Sequence, residues 1–204
     1  RISADFVTAF YDEFDEFVQP VTAEEQASFW IEDENVDNLN NSRAHCDYAT
    51  HLKDQMSFGW HNLISQGIIK GSHQDLMNFV HDALVDLTLH EVGHTLGLRH
   101  NFKASSIYSI EQLSDKNFTQ QYGVSGSVMD YHPVSLFDNG ETMFQTHPGP
   151  YDYWAIEYGY SEFDLEDCCP DRDAISEAAL LEDIANQSNH PLLAYATDED
   201  TFGR

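Results

Sequence analysis

His90-Glu91-Val92-Gly93-His94-Thr95-Leu96-Gly97-Leu98-Arg99-His100 is the stretch on which the reading of this chain turns. On an α-helix, residues four apart lie one above the other, so His90 and His94 present two imidazoles on one face about one turn apart. Zinc accepts neutral imidazole, and a hydrolytic site takes three protein ligands while keeping a fourth position for water. Gly97 offers the route to the third ligand. Glycine adopts a positive φ at little cost, so the helix can break three residues after His94 and the chain can return His100 toward the same ion. Glu91 neighbours a ligand but points a little around the helix, where it can take a proton from the fourth-position water. A single histidine is more often a core or surface residue, and the other eight of the 11 are read that way. HEVGHTLGLRH differs because it constrains five positions together.

The surroundings predict a helix for this motif. Ser72 followed by Asp75 forms a capping box, and Leu76, Val80, Ala83, Leu87 and His90 fall on one apolar stripe. Val85, Leu89, Val92 and Leu96 fall on a second, so the helix is expected to be buried on two sides, with Asp75, Asn78, Asp82 and Asp86 as a narrow wet edge. Upstream, Phe6, Val7, Phe10, Tyr11, Phe14, Phe17 and Val18 predict an amphipathic helix ending near Pro20. Residues 31–50 read as a surface loop, and the apolar run over 56–71 fits strand or helix equally. Downstream, 101–126 reads as loop with a short helical piece near Ser109 to Leu113, closing on Gly123-Val124-Ser125-Gly126. A second loop is expected over 132–150, with Asn139-Gly140 as one of its turns. A helix is predicted from Pro150 to Tyr158, stopped by Gly159, and an acidic helix over 174–187. No internal repeat or low-complexity tract is present.

A second element lies about thirty residues beyond the histidines: Ser127-Val128-Met129-Asp130-Tyr131, after a glycine-rich stretch. It resembles the Met-turn beneath the zinc of metzincins, in which Met129 would form an apolar floor. Tyr131 matches the position at which astacins and serralysins carry a tyrosine whose phenol can donate a hydrogen bond to an oxyanion. With HEVGHTLGLRHNF at 90–102, VMDY at 128–131 and GPYDYWAIEYGY at 149–160, the chain resembles the metzincin clan and, within it, EcxA-like bacterial zinc metallopeptidases. Residues 193–200 also look like that family, in which more chain follows. The resemblance implies an α+β zincin fold, predominantly helical in this fragment, with a buried zinc-site helix and a downstream Met-turn. It implies Zn²⁺ held by His90, His94 and His100, Glu91 and Tyr131 as catalytic residues, and a peptide or protein substrate. It also implies a twisted sheet ahead of the zinc helix, yet residues 1–89 show little period-2 alternation.

The chain has 204 residues, 41% of them hydrophobic, enough for one core. A single catalytic domain or fragment over 1–204 is expected, with an upstream lobe (1–72), the zinc helix, Met-turn and following helix (73–160), and an acidic C-terminal segment (161–204). No apolar run has bilayer length, and the start Arg1-Ile2-Ser3-Ala4 has no signal core, so a soluble, processed or excised chain is expected. Nine basic against 36 acidic side chains give a net charge of −27, which disfavours nucleic acid and anionic membranes and suits a salty or extracellular setting; with the resemblance, which implies a bacterial source, a secreted, extracellular or periplasmic location is expected. Cys46, Cys168 and Cys169 are read as ordinary thiols or as at most one bridge involving Cys46. Sequence carries no statement of oligomeric state. No Ser-His-Asp, Walker or dinucleotide pattern competes. The alternatives are a zinc-stabilised, non-catalytic binding or toxin-like module and, more weakly, an acidic calcium-binding domain, for which no EF-hand spacing exists. The charge carries its own test. Added salt screens self-repulsion, so the melting temperature is expected to rise between low and high NaCl, and a flat or falling response in thermal melts would contradict it.

Overall fold

A computed structural model describes residues 46–137, 142–163 and 176–201. The helix predicted near residues 6–18, most of the 31–50 loop, the turn at Asn139-Gly140, and both Cys168 and Cys169 lie outside the described residues.

Helix α1 spans Tyr48–Ser65 and settles the apolar run over 56–71 as helix for most of its length. Tyr48, Leu52, Met56 and Trp60 recur every fourth residue and are all buried, with Gly59 and Leu63 beside them. The helix starts inside the stretch read as loop, because the Asp47 carbonyl accepts the first turn's amides from Thr50 and His51. After Ser65 the chain turns through Gly67, at a φ of +72°, and reaches α2 (His73–Thr95). The capping box at its start is present as expected: Ser72 Oγ accepts from the Asp75 amide, and the Asp75 carboxylate accepts from the Ser72 amide.

Helices α1 and α2 share the core. Phe79 of α2 stacks obliquely on Trp60 at a centroid distance of 5.4 Å and edge-on to Phe144 at 5.0 Å, while Leu76, Val80, Ala83 and Leu87 fill the space around them. Val134, from the segment after the Met129 turn, packs into the same core beside α1. A Cβ on Gly59 would lie 2.9 Å from a Val134 methyl, so only glycine lets that segment approach. Each such fully buried side chain contributes about 1.5–3 kcal/mol relative to exposure.

Two expectations for α2 are corrected. The second apolar stripe is buried only in part: Val85 and Leu89 are half-buried, while Val92 and Leu96 are 46% and 41% exposed. Asp86, assigned to the wet edge, is fully buried. Its Oδ2 accepts a hydrogen bond from the Tyr48 phenol at 3.2 Å and lies 3.0 Å from His132 Nε2, an ion pair rather than an aligned hydrogen bond. A helical wheel ranks positions by polarity and cannot show that a partner of opposite charge arrives from 46 residues downstream.

Beyond α2, a 3₁₀ turn at Ala104–Ser106 leads to α3 (Ile110–Leu113), where the helical piece was expected, capped by Ser109 and Gln112. Helix α4 (Lys116–Tyr122) was not foreseen; at seven residues it is too short to show a period. Helix α5 (Pro150–Tyr160) runs through Gly159 and ends at Ser161. A lone helical glycine costs only about 1 kcal/mol, and the backbone ladder continues past it, with the Ser161 amide donating to the Glu157 carbonyl at 3.1 Å. Helix α6 (Glu177–Ala185) lies within the predicted 174–187 span and docks on α5, where Trp154 Nε1 donates to the Ile184 carbonyl at 2.8 Å. Two 3₁₀ turns, Asn186–Asn189 and Pro191–Leu193, lead to the short α7 (Asp198–Thr201). Among the described residues no strand occurs, so the sheet implied by the resemblance has no counterpart there. Nor is any helix among them long and apolar enough to cross a membrane.

The buried pair generates a pH test. Desolvation disfavours the charged His132 ring, but the Asp86 charge beside it prevails and lifts its pKa from 6.5 to about 9. With the folded value above the unfolded one, the stabilisation is fully present below about pH 6.5 and is lost as pH rises through about 9. Asp86→Ala strands His132 and is expected to cost about 3–5 kcal/mol in urea unfolding at neutral pH. A loss under about 1 kcal/mol, or an alkaline stability profile unchanged from wild type, would remove the pair from the account.

Candidate metal centre

The last turns of α2 place His90 and His94 as the spacing requires, with ring centroids 4.8 Å apart. The helix then ends in a Schellman arrangement. Gly97, at a φ of +88°, donates its amide to the His94 carbonyl, and the Leu98 amide returns to the Gly93 carbonyl, each at 3.0 Å. That reversal brings His100 to 4.8 Å from the His94 ring and 5.4 Å from the His90 ring. The three histidines singled out from sequence therefore meet at one point.

Each ring is fixed from its far side. His90 Nδ1 bonds the Val128 carbonyl at 2.7 Å, His94 Nδ1 bonds the Leu98 carbonyl at 3.0 Å, and His100 Nδ1 pairs with Asp198 Oδ1 at 3.0 Å. With Nδ1 engaged on all three, the Nε2 atoms are the ones left to converge. His94 Nε2 is buried without any hydrogen-bond partner, an uncommon condition that an ion would relieve. Burial also pushes the His90 ring down to about 3, keeping it the neutral imidazole a metal requires. One ligand atom from each of His90, His94, His100 and Cys46 lies within 4.8 Å of all the others. This donor set, imidazoles with one sulfur, fits zinc.

Glu91 and Tyr131 reach the same place. The Cys46 thiol faces Glu91 Oε1 at 3.6 Å, so the carboxylate borders the cluster without belonging to it. The Tyr131 hydroxyl lies 3.2 Å from His100 Nε2, accepts from the Asp47 amide at 3.0 Å and donates to Cys46 Sγ at 3.5 Å. Burial pushes its phenol well above the usual tyrosine range, so it is a proton donor at neutral pH.

Several contributors escaped the sequence reading. Cys46 appeared as an ordinary thiol or a bridge partner, and it stands as a free thiol among the histidines. Asp198 holds His100, and Arg99 clasps the neighbouring Glu199 at 2.7 Å, steadying that turn. Partial burial acts to raise the Asp198 carboxyl, but the His100 hydrogen bond and charge outweigh it and leave it below the usual carboxylate range. Asn101, fully buried, ties the 194–196 stretch to the site by donating to the Ala194 carbonyl and accepting from the Ala196 amide. Gly93 is also needed: a Cβ there would collide with Met129 Sδ, so the glycine lets fully buried Met129 lie directly against the ligand helix. Asp152 of α5 fastens the 127–131 turn, accepting from Ser127 Oγ at 2.5 Å, the Val128 amide at 2.9 Å and the Gly149 amide at 2.8 Å. The acidic residue at the third helical position after Gly149 was the available signal for that role.

The Asp198 contact makes a prediction. Asp198→Asn removes the charge that orients His100 and is expected to weaken zinc binding by about 10–100-fold in a chelator competition titration. Affinity within about twofold of wild type would show that the carboxylate does not hold the ligand.

No curated protein and no solved structure matches the chain. A family model described as Met-zincin matches residues 72–204, which takes in the capping box of α2, all three histidines, the Met129 turn, α5 and the Asp198 clasp. The chain belongs to the Met-zincin family, a metzincin-type domain.

Proposed function

We propose that the chain is a zinc metalloendopeptidase of the EcxA-like kind, one catalytic domain over residues 1–204, with His90, His94 and His100 as the metal ligands. The observation that carries this reading is the joint orientation of the three rings, each held at Nδ1 by a fixed oxygen so that its Nε2 faces a common point. Three imidazole donors with an adjacent carboxylate are the donor set of a hydrolytic zinc site.

When bound, zinc would polarise a scissile carbonyl and acidify a water. Glu91, whose carboxylate borders the cluster, is the general base: it takes the proton from the water and delivers it to the leaving amine. Tyr131 donates its phenolic hydrogen to the oxyanion, a role supported by a hydroxyl that already lies beside His100 Nε2. Met129, buried against Gly93 beneath the rings, serves as the apolar floor of a Met-turn. The substrate is a peptide or protein, and the net charge of −27 suits secretion to an extracellular or periplasmic setting and disfavours nucleic acid.

A second reading has its own support. Cys46 within the cluster would complete four protein ligands, as in a structural zinc site, so a zinc-stabilised binding or toxin-like module is the alternative.

The variants separate the roles. His94→Ala is expected to lose zinc by elemental analysis, and full retention would sink the ligand assignment. Glu91→Ala keeps zinc and loses peptide hydrolysis; activity within tenfold of wild type would move the base elsewhere. Tyr131→Phe keeps zinc and slows turnover by about 10²-fold, whereas an unchanged rate would leave Tyr131 a packing residue.

A further inference from the structure

We infer that Cys46 is a fourth, displaceable metal ligand: its sulfur occupies the coordination position that a hydrolytic water needs, so the folded chain holds a closed three-histidine, one-cysteine centre. The inference rests on the metal-centre reading above and adds to it the state in which the chain holds the ion.

The geometry is that of a ligand and not of a bystander thiol. With Zn–N near 2.1 Å and Zn–S near 2.3 Å, tetrahedral coordination places nitrogen and sulfur about 3.6 Å apart. Cys46 Sγ lies 3.4 Å from His90 Nε2. It also belongs to the set of four donors that all lie within 4.8 Å of one another, and the set includes the buried, unpartnered His94 Nε2. A thiol packed only as a small apolar group would have no reason to sit where three imidazole nitrogens converge.

Cys46 is also held there. The adjacent Asp47 amide donates to the Tyr131 hydroxyl at 3.0 Å, and its carbonyl begins α1. Tyr48, fully buried, stacks between the His90 ring at 4.4 Å and the Tyr131 ring at 4.9 Å and donates to Asp86 at 3.2 Å. The start of α1 is thus anchored to both the ligand helix and the tyrosine proposed to assist catalysis. Glu91, 3.6 Å from the sulfur, faces the thiol where a hydrolytic site would present it with water. Closed four-ligand sites are structural and open ones catalytic, so Cys46 is the residue on which the two readings of this centre diverge. Withdrawal of Cys46 frees the position, with the departing sulfur taking a proton from solvent.

The test uses the full chain loaded with Co²⁺, whose bond to a thiolate gives a charge-transfer absorption in the near ultraviolet that bonds to imidazole do not. A variant with Cys168→Ser and Cys169→Ser, which leaves Cys46 as its only thiol, is expected to show the band, and Cys46→Ser is expected to bind cobalt without it. A thiol reagent should modify Cys46 slowly in the zinc-loaded double variant and rapidly once a chelator has removed the ion. Cobalt bound by the double variant with no charge-transfer band overturns the Cys46 assignment and leaves the histidine site standing. Failure of both proteins to bind cobalt overturns both. Because the double variant decides the matter by itself, the test survives if Cys46→Ser does not fold. Faster peptide hydrolysis by Cys46→Ser than by wild type would further support displacement as the step that opens the site; equal rates would show that the sulfur does not obstruct water.

Discussion

Three oxygens behind three imidazoles set the geometry of the centre on which the rest of this structure is organised. The carbonyls of Val128 and Leu98 and the carboxylate of Asp198 each engage one Nδ1, and the converging Nε2 atoms follow from that. The three oxygens belong to different parts of the chain: the Met129 turn, the helix-terminating reversal and the last short helix. Building the centre therefore requires all of these to be in place, and much of the structure serves to put them there. Asp152 fastens the turn that carries Val128, Gly97 makes the reversal that carries Leu98, and Asn101 with Arg99 secures the segment that carries Asp198.

The same constraint explains polar groups that would otherwise be costly inside a core. Asp86, His132 and Tyr48 form a buried cluster directly beneath the first ligand, and Tyr48 touches His90 itself. Leaving Asp86 or His132 without the other would bury an unpaired charge and destabilise the fold by several kcal/mol. What the three provide is position. Tyr48 sets the start of α1, and the start of α1 sets Cys46 and the amide that meets Tyr131. Packing and chemistry thus share the same residues on the ligand-facing side of α2, while Val92 and Leu96 on its far side stay exposed.

Local interactions were legible in the sequence, and distant ones were not. The capped ligand helix, the glycine that reverses it and the pairing of His90 with His94 were all readable, because each depends on residues within a turn or two of one another and on backbone geometry that residue type alone sets. The return of His100 to the other two histidines was readable too, since a break at Gly97 lets the chain reverse toward them. The short helix over Lys116–Tyr122, by contrast, held too few apolar residues to show a period, and Gly159 was over-read as a stop because a lone glycine costs only about 1 kcal/mol and is a weak breaker.

By itself, then, the sequence determined a capped helix that pairs His90 with His94, sets Glu91 beside them and breaks at Gly97, which are short-range consequences of 3.6-residue periodicity and of glycine's φ freedom. Tertiary structure alone decided that Cys46 joins His90 across 44 residues and that Asp198 orients His100 across 98. It also decided that Asp86 is buried against His132 instead of facing water. Contacts of that range leave no spacing to detect. They exist only once hydrophobic burial has brought α1, α2 and the C-terminal turns into one body, and their donors and acceptors are then matched by position in space, which the order of residues along the chain does not record.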